Sequence, residues 1–275
     1  PPPPPFFFTP QPATRDPLWS RGLGDVYKRQ NLVASGQVEF GLNGSDSVMM
    51  ANSKGAGLVA VFANLDHVPY TLVFHPDQGI KTVQDLDGRR FAVVPGITYW
   101  KWIKKEYGIS ADEFPLKGDL ALFGKSPEMF QQGYSIFLPA RLDDKGIANE
   151  QIKVADLGYK PYSTLFTTQK MIDENPELVQ EVVDRLRAAF VKSLNDPKPT
   201  MDLILGKSKK VTPAVHMNAI RLMKEEFLPA DYSKLGCMKS DRWEELAGQL
   251  KEVDVVPADF DSTSSFDLSF LGNCE

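Results

Sequence analysis

Two segments of the sequence place glycine and small hydroxyl side chains at the start of a predicted helix. In each segment a short apolar run ends at a glycine and a helical pattern follows, once over residues 38–46 and again over residues 91–98. The free backbone N–H groups and the positive dipole end of a helix start can hold a polar ligand. The chemistry that these segments favour is therefore ligand binding, and two such helix starts facing each other would clamp a solute.

The candidate ligand-binding residues lie in and just after these two turns. Backbone N–H groups and the Ser45 hydroxyl could hold a ligand oxygen, although simple helix capping explains Ser45 or Asp46 equally well. Trp100 could stack on a planar ligand, although its spacing from Ile103 is more typical of a core position. The candidates are Asn43, Gly44, Ser45 and Asp46 in the first turn, and Gly96, Thr98, Tyr99 and Trp100 in the second.

The elements that must position these turns form an α/β pattern. Strand-like runs alternate with helical patterns in the first half of the chain, and helices dominate the end, so the pattern predicts mostly parallel sheets. The apolar run 58–63 is expected to be a parallel strand buried on both faces. Further predictions are a strand over 134–138, a short helix from Ser126, and long helices opening at 175, 212 and 240.

Composition and charge exclude several functional classes. The chain has 275 residues, of which 42% are hydrophobic and 24% are charged, as is usual for a globular protein. A net charge of −5 without a long Lys/Arg run argues against nucleic acid as a partner. The three histidines show no metal-binding spacing and no CxxC motif occurs, so neither a metal nor a cofactor is expected.

The two cysteines and the first thirty residues each raise a question about the native protein. Cys237 and Cys274 could form a disulfide in an oxidising compartment or remain unpaired, and the sequence leaves both possibilities open. Residues 1–30 begin with runs of proline and phenylalanine rather than with methionine. We expect them to be a non-native, disordered leader, so that the absence of a signal sequence says nothing about export.

Several segments in a fixed order resemble one protein family. They are residues 33–41, 48–51, 79–90, 95–100, 158–164, 175–179 and 236–243. Their order and spacing resemble the solute-binding proteins of ABC importers, in the branch that includes nitrate-, sulfonate- and taurine-binding proteins and thiamine-pyrimidine-synthase-like proteins. The resemblance covers roughly residues 31–270.

The resemblance implies a periplasmic-binding-protein-like fold of type II, with two α/β lobes, a hinge and an interlobe cleft. On that basis residues 31–74 and 166–275 form the first lobe and residues 75–165 the second. The first strand, helix and strand of the family are missing from this sequence. Tyr70 near one predicted crossing, and Tyr162 and Ser163 near the other, are expected to line the floor of the cleft.

The resemblance also implies a function. The chain is expected to act as a monomer that captures a small organic solute outside the cytoplasm, in the periplasm or on a lipid anchor, and passes it to an ABC permease of the inner membrane. The candidate solutes are a thiamine-precursor pyrimidine, a flavin-like heteroaromatic, a sulfonate and nitrate. Many relatives carry Ser-Glu-Pro where this chain has Phe137-Leu138-Pro139. Leu138 in place of the acid suggests a more apolar or less basic ligand, or a lost contact.

Two alternatives remain within this resemblance. Thiamine-pyrimidine synthases are enzymes, but they use a cysteine-rich motif, and no cysteine cluster precedes Cys237 here. The same fold also serves as a ligand-sensing domain of receptors and regulators. No helix-turn-helix or transmembrane pattern accompanies the chain to favour that alternative.

Overall fold

The computed structural model describes residues 28–118, 120–207, 211–272 and 274, which form two β-sheets flanked by helices. The strands are β1 (Gly41–Gly44), β2 (Leu58–Leu65), β3 (Tyr70–Phe74), β4 (Arg90–Val93), β5 (Asp112–Pro115), β6 (Met129–Tyr134), β7 (Glu150–Lys153) and β8 (Ser163–Thr168). The helices are α1 (Lys28–Ala34), α2 (Ser45–Asn52), α3 (Thr98–Tyr107), α4 (Leu120–Lys125), α5 (Leu138–Asp143), α6 (Gln169–Glu174), α7 (Pro176–Asn195), α8 (Lys198–Lys207), α9 (Pro213–Leu222) and α10 (Ser240–Glu252). A π-helical turn, Met223–Phe227, extends α9.

The first sheet has three strands in the order β1-β8-β2. Every residue of β2 is buried, as its apolar run predicts, but the strand pairs antiparallel with β8 rather than parallel. Strand β8 returns from the second sheet and enters between β1 and β2, running against both of them. The prediction of burial on both faces is therefore confirmed, and the predicted parallel pairing is wrong.

The second sheet has five strands in the order β5-β4-β6-β3-β7. Strand β4 runs parallel to β5 and β6, whereas β3 runs antiparallel to β6 and β7. Mostly parallel sheets were expected, and the described pairings are mostly antiparallel. Strand β3 also belongs to this second sheet, although the expected boundary at residue 74 placed it with the first lobe.

Two local predictions between the sheets are wrong. No helix opens at Ser126, because that residue lies in the turn before β6 and the helix of this region, α4, precedes it. The strand expected over 134–138 is the end of β6 followed by the start of α5, where Pro139 occupies an early helical position. Proline suits the first turn of a helix because its missing N–H has no partner there in any case.

The N-terminal end of the described chain is helical. Helix α1 begins at Lys28 and so includes the last three residues of the expected leader, and Gly36 follows it with φ of 69°. The rest of the expected leader, residues 1–27, lies outside the described residues.

The helices at the end of the chain pack over the first sheet. Val179 and Val183 of α7 and Trp243 of α10 are fully buried in the same apolar core as Phe62 of β2. The long helices expected from 175, 212 and 240 are all present. None of the described helices combines the length and the apolar character that a membrane span requires.

A disulfide fastens the C-terminal segment to this core. Cys237 and Cys274 are bonded, with their Cα atoms 5.6 Å apart. Of the two possibilities that the sequence left open, the structure forms the disulfide. The neighbouring Gly236 accepts a hydrogen bond from the backbone N–H of Ala63 in β2.

Candidate functional site

The two turns singled out in the sequence meet at one point between the sheets. The first leads from β1 into α2, and the second leads from β4 into α3. Asp46 in the first turn of α2 accepts a hydrogen bond from the Thr98 hydroxyl at the start of α3. The starts of the two helices are therefore joined by a direct contact between side chains.

Asp46 is the centre of this contact. Its Oδ1 accepts a hydrogen bond from the Ser47 backbone N–H at 2.7 Å, and its Oδ2 accepts from Thr98 and from the Tyr159 hydroxyl, the latter at 3.0 Å. A side chain at position 44 would bring a Cβ atom within 2.4 Å of Asp46 Oδ1. Glycine at position 44 therefore leaves room for the carboxylate.

The carboxyl group of Asp46 is fully buried, and this sets its acidity. Burial raises its pKa, and the hydrogen bonds from Thr98, Ser47 and Tyr159 oppose that rise only in part. No ion pair among the described residues includes Asp46. The site therefore has a buried carboxyl group whose neighbours are hydroxyl groups rather than cations.

Tyrosine side chains surround the carboxyl group. The Tyr70 ring lies 4.7 Å from the Tyr99 ring and 5.9 Å from the Tyr134 ring, measured between ring centres. Burial, and then the nearby Asp46 carboxylate, raise the pKa of the Tyr70 and Tyr159 hydroxyls well above the ordinary tyrosine value. These hydroxyls stay protonated at neutral pH and can act as donors.

Two buried hydroxyl groups at the site have no hydrogen-bond partner among the described residues. They are Oγ of Ser45, next to Asp46, and the hydroxyl of Tyr99, next to Thr98. Buried polar groups in proteins are usually hydrogen-bonded, and leaving one unpaired costs about 1–3 kcal/mol. Unpaired groups at the meeting point of two helix starts are available to a ligand.

A small cavity lies beside this contact. It is lined mainly by the second turn, from Val94 to Thr98, together with Tyr70 and Met50, and its volume is 20 Å³. That is room for about one water molecule. A solute can therefore enter only if the two turns separate.

Most of the residues predicted for the site are brought together. Ser45, Asp46, Thr98 and Tyr99 lie at the contact between the helix starts, while Tyr70 and Gly96 line the small cavity. Asn43 and Gly44 end β1 directly before α2, and the Asn43 side chain accepts a hydrogen bond from the Gly44 N–H.

The remaining predicted residues have other roles. The Trp100 indole packs against Phe91 and Phe130, and its Nε1 donates to Glu113. Its helical spacing had already indicated a core position, and the expectation that it stacks on a ligand is not supported by these contacts.

Tyr162 and Ser163 link the start of α2 to the first sheet. The backbone carbonyl of Tyr162 accepts a hydrogen bond from the Ser45 N–H at 2.8 Å. The Tyr162 ring points elsewhere, because the Arg242 guanidinium lies 3.9 Å from its centre. Ser163 donates its hydroxyl proton to Asn64 at 3.1 Å.

Leu138 lies in the apolar core beside the second sheet. It is buried in a separate apolar cluster with Leu142, against Gly133, whose missing side chain makes room for it. The inference from Leu138 to a more apolar or less basic ligand, or to a lost contact, stays a prediction.

Two tyrosines of the site were missed at the level of sequence. Tyr159 follows Gly158 in a loop, and its contact with Asp46 spans 113 positions of the chain. The only available signal was its place in one of the segments that resemble the family. Tyr134 was placed at the start of a predicted strand, whereas it is the last residue of β6. No signal in the sequence identified it as a site residue.

A larger cavity lies on the other side of Tyr162, next to the disulfide. Its volume is 630 Å³, and its lining includes Asp66, Glu226 and Arg242. These three charged groups are already paired, Arg242 with Asp66 at 2.7 Å and Glu226 with Lys153 at 2.6 Å. The contact between the helix starts has two buried hydroxyls without a hydrogen-bond partner among the described residues, and no described residue that lines the larger cavity has one. We therefore take the contact between the helix starts as the candidate site.

A comparison with protein-family models identifies the chain. The model described as "NMT1/THI5 like" matches residues 24–200, which is more than half of the sequence. The chain belongs to the NMT1/THI5-like family. This confirms the family that the ordered segments of the sequence indicated. No curated protein sequence matches the chain.

Solved structures confirm the fold of this NMT1/THI5-like chain. The alkanesulfonate-binding protein SsuA from Xanthomonas axonopodis pv. citri, bound to MOPS, has a TM-score of 0.66 at 14% identity, over 88% of this chain and 85% of that one. The periplasmic aliphatic sulphonate-binding protein SsuA from Escherichia coli has a TM-score of 0.67 at 16% identity, over 87% and 78%. The CA3427 gene product of Candida albicans, described as having the generic periplasmic-binding-protein fold, has a TM-score of 0.57 at 13% identity, over 90% and 83%. The predicted periplasmic-binding-protein-like α/β fold is confirmed.

Metal binding finds no support in the described residues. Within the part of the chain that the structure describes, no group of three or more His, Cys, Asp or Glu side chains could hold a metal ion.

Proposed function

We propose that this chain is the solute-binding component of an ABC importer, which captures a small organic solute between its two α/β parts and delivers it to a membrane permease. The observation that carries the proposal is the meeting of two helix starts, one from each sheet, at a site with unpaired buried hydroxyls on Ser45 and Tyr99. Such a site offers hydrogen bonds from both sides, and binding there would hold the two parts together.

The solved structures support this function. Both SsuA proteins are named as sulfonate-binding proteins, and the one from Escherichia coli is named as periplasmic. The disulfide between Cys237 and Cys274 fits a location outside the cytoplasm, because disulfides persist mainly in oxidising compartments. The same disulfide occupies both cysteines of the chain, which counts against the cysteine-dependent synthase alternative.

A ligand screen tests the proposal. The protein is titrated with thiamine-precursor pyrimidines, flavins, aliphatic sulfonates and nitrate, with thermal shift as the first readout and calorimetry as the second. We expect at least one solute to raise the melting temperature and to be recovered unchanged by mass spectrometry. A screen in which no solute binds would contradict the proposal, and so would chemical conversion of the bound solute.

Variants at the site locate the binding. Ser45→Ala and Tyr99→Phe each remove one unpaired hydroxyl and should weaken binding about tenfold, in line with the loss of one hydrogen bond. Tyr107→Phe is the matched control, because Tyr107 lies on the same helix α3 and donates its hydroxyl to the Leu157 carbonyl away from the site. Unchanged affinity in both site variants would place the binding elsewhere.

A further inference from the structure

The start of helix α2 would ordinarily attract an anion, but here the protein supplies its own. The N–H groups at a helix start favour negative charge. In this chain the Asp46 carboxyl group occupies that position, since its Oδ1 accepts the Ser47 N–H at 2.7 Å. The carboxyl group of Asp46, rather than a ligand, therefore already accepts the Ser47 N–H group at the start of α2.

The surroundings of Asp46 do not compensate its negative charge. Its described side-chain partners are the hydroxyls of Thr98 and Tyr159, and no described Lys or Arg pairs with it. Two like charges about 4 Å apart repel strongly where water is excluded. An anionic ligand at this site would have to overcome that repulsion, whereas a cationic ligand would relieve it.

The hydrogen-bonding capacity of the site leads to the same conclusion. A carboxylate only accepts hydrogen bonds, and the unpaired hydroxyls of Ser45 and Tyr99 can accept as well as donate. A ligand that carries N–H donors therefore matches the acceptors that all three groups offer. The ring of Tyr70, which lines the cavity, adds an aromatic face of the kind that attracts cations.

We propose that Asp46 determines the charge selectivity of the site, so that the solute is a donor-rich amine or amidine and sulfonates and other anions are rejected. This inference rests on the proposed function, because it concerns the solute captured at the same site. It separates this chain from the two SsuA structures, which share its fold and are named for binding sulfonates.

Probes that differ in charge and share a shape test the proposal. The first set is benzamidine, benzamide and benzenesulfonate, and the second pair is propylamine and propanesulfonate. We expect the wild-type protein to bind the cation of at least one set ten or more times more tightly than the anion. Asp46→Asn removes the charge and keeps the shape, and it should reduce this preference at least tenfold.

The chain offers a closely matched control. Asp241 is the second residue of helix α10, just as Asp46 is the second residue of α2, and each follows a serine. Asp241 also accepts a hydrogen bond from the next backbone N–H, at 2.8 Å. Unlike Asp46, it is exposed. Asp241→Asn should leave the preference unchanged. Should Asp46→Asn not fold, Asp46→Ser provides a second neutral variant with a side chain that suits a helix start.

The outcomes distinguish the two proposals. Binding of an anion in preference to its cation, with the preference unchanged in the neutral variants of Asp46, would overturn the charge selectivity and leave the solute-binding function standing. Absence of binding for every probe and for every solute of the wider screen would instead overturn the solute-binding function, and the selectivity with it.

Discussion

The unpaired hydroxyl of Tyr99 lowers the stability of the free protein, and a hydrogen bond to a ligand would offset this loss. The hydroxyl is fully buried and has no partner in the part of the chain that the structure describes, so its removal should stabilise the protein without a ligand. We expect Tyr99→Phe to raise the free energy of unfolding by about 1 kcal/mol. Urea denaturation followed by circular dichroism measures the change.

The control substitution should change the free energy of unfolding in the opposite direction. Tyr107→Phe removes a hydroxyl that donates to the Leu157 carbonyl at 3.0 Å, and it should lower the free energy of unfolding by about 1 kcal/mol. Equal losses in both variants would show that the Tyr99 hydroxyl has a partner in solution.

Asp46 should give the protein a measurable dependence of stability on pH. Because burial raises its pKa in the folded state, the folded protein binds the proton more tightly than the unfolded chain does. Its contribution to stability is therefore fully present below the unfolded value, about 3.9, and is lost as the pH rises through the raised folded value. Asp46→Asn lacks this loss, so its stability relative to the wild type should increase with pH across that window and then level off.

Urea denaturation of both proteins at a series of pH values from 3 upward checks the prediction. The comparison cancels the contributions of other carboxyl groups, such as Asp85, whose hydrogen bonds from Lys81 and Thr82 lower its pKa. Asp241→Asn is the control for removing a negative charge at a helix start. A constant difference between Asp46→Asn and the wild type would contradict the raised pKa of Asp46.

At the scale of elements, the sequence predicted the burial of strand residues better than it predicted the relative direction of paired strands. The apolar run of β2 showed that both of its faces are covered, which is a property of its own side chains. Its pairing with β8 depends on where a strand about one hundred positions later enters the sheet, and local pattern carries no information on that. The helix starts at Ser45 and Thr98 were recognised from local glycine and hydroxyl signals, whereas their contact through Asp46 and Tyr159 is long-range.

Gly236 makes a close contact between elements that a side chain would break. It has φ of 102°, and a Cβ atom there would lie 2.2 Å from the Phe62 ring of β2. Gly236→Ala should therefore lower the free energy of unfolding by about 2–4 kcal/mol, through backbone strain and overpacking together. Thermal and urea denaturation measure the loss.

Gly248→Ala is the matched control for this prediction. Gly248 lies within helix α10, and a Cβ atom there would have no described atom within 4 Å apart from its chain neighbours and the backbone of its own helix. Alanine favours a helix interior over glycine by about 1 kcal/mol, so this variant should be more stable than the wild type. A neutral result for Gly236→Ala beside a stabilised Gly248→Ala would show that β2 and the C-terminal segment can move apart at little cost.

At the scale of the whole molecule, the two sheets are joined by few segments, and Asp46 adds a contact between them. The chain passes from β2 to β3 and returns from β7 to β8. The 20 Å³ cavity is too small for an organic solute, so entry requires Asp46 to release Thr98 and Tyr159. The residues that would recognise the solute thus also hold the two parts together when no solute is bound. The affinity for the solute therefore depends on the free energy of separating the two parts.

The disulfide should contribute strongly to the stability of the part built on the first sheet. It joins residues 37 positions apart, and the loop-entropy relation assigns about 4 kcal/mol to a loop of that length. We expect dithiothreitol to lower the melting temperature of the wild type and to have no effect on a Cys237→Ser/Cys274→Ser variant, which should melt near the reduced wild type. Because this loop includes α10 and begins directly after Gly236, its loosening should also free the C-terminal segment from β2. Faster hydrogen exchange at Ala63, whose N–H donates to Gly236, would detect this. Equal melting temperatures with and without reductant would show that packing alone holds this segment. The disulfide would then no longer support a location in an oxidising compartment.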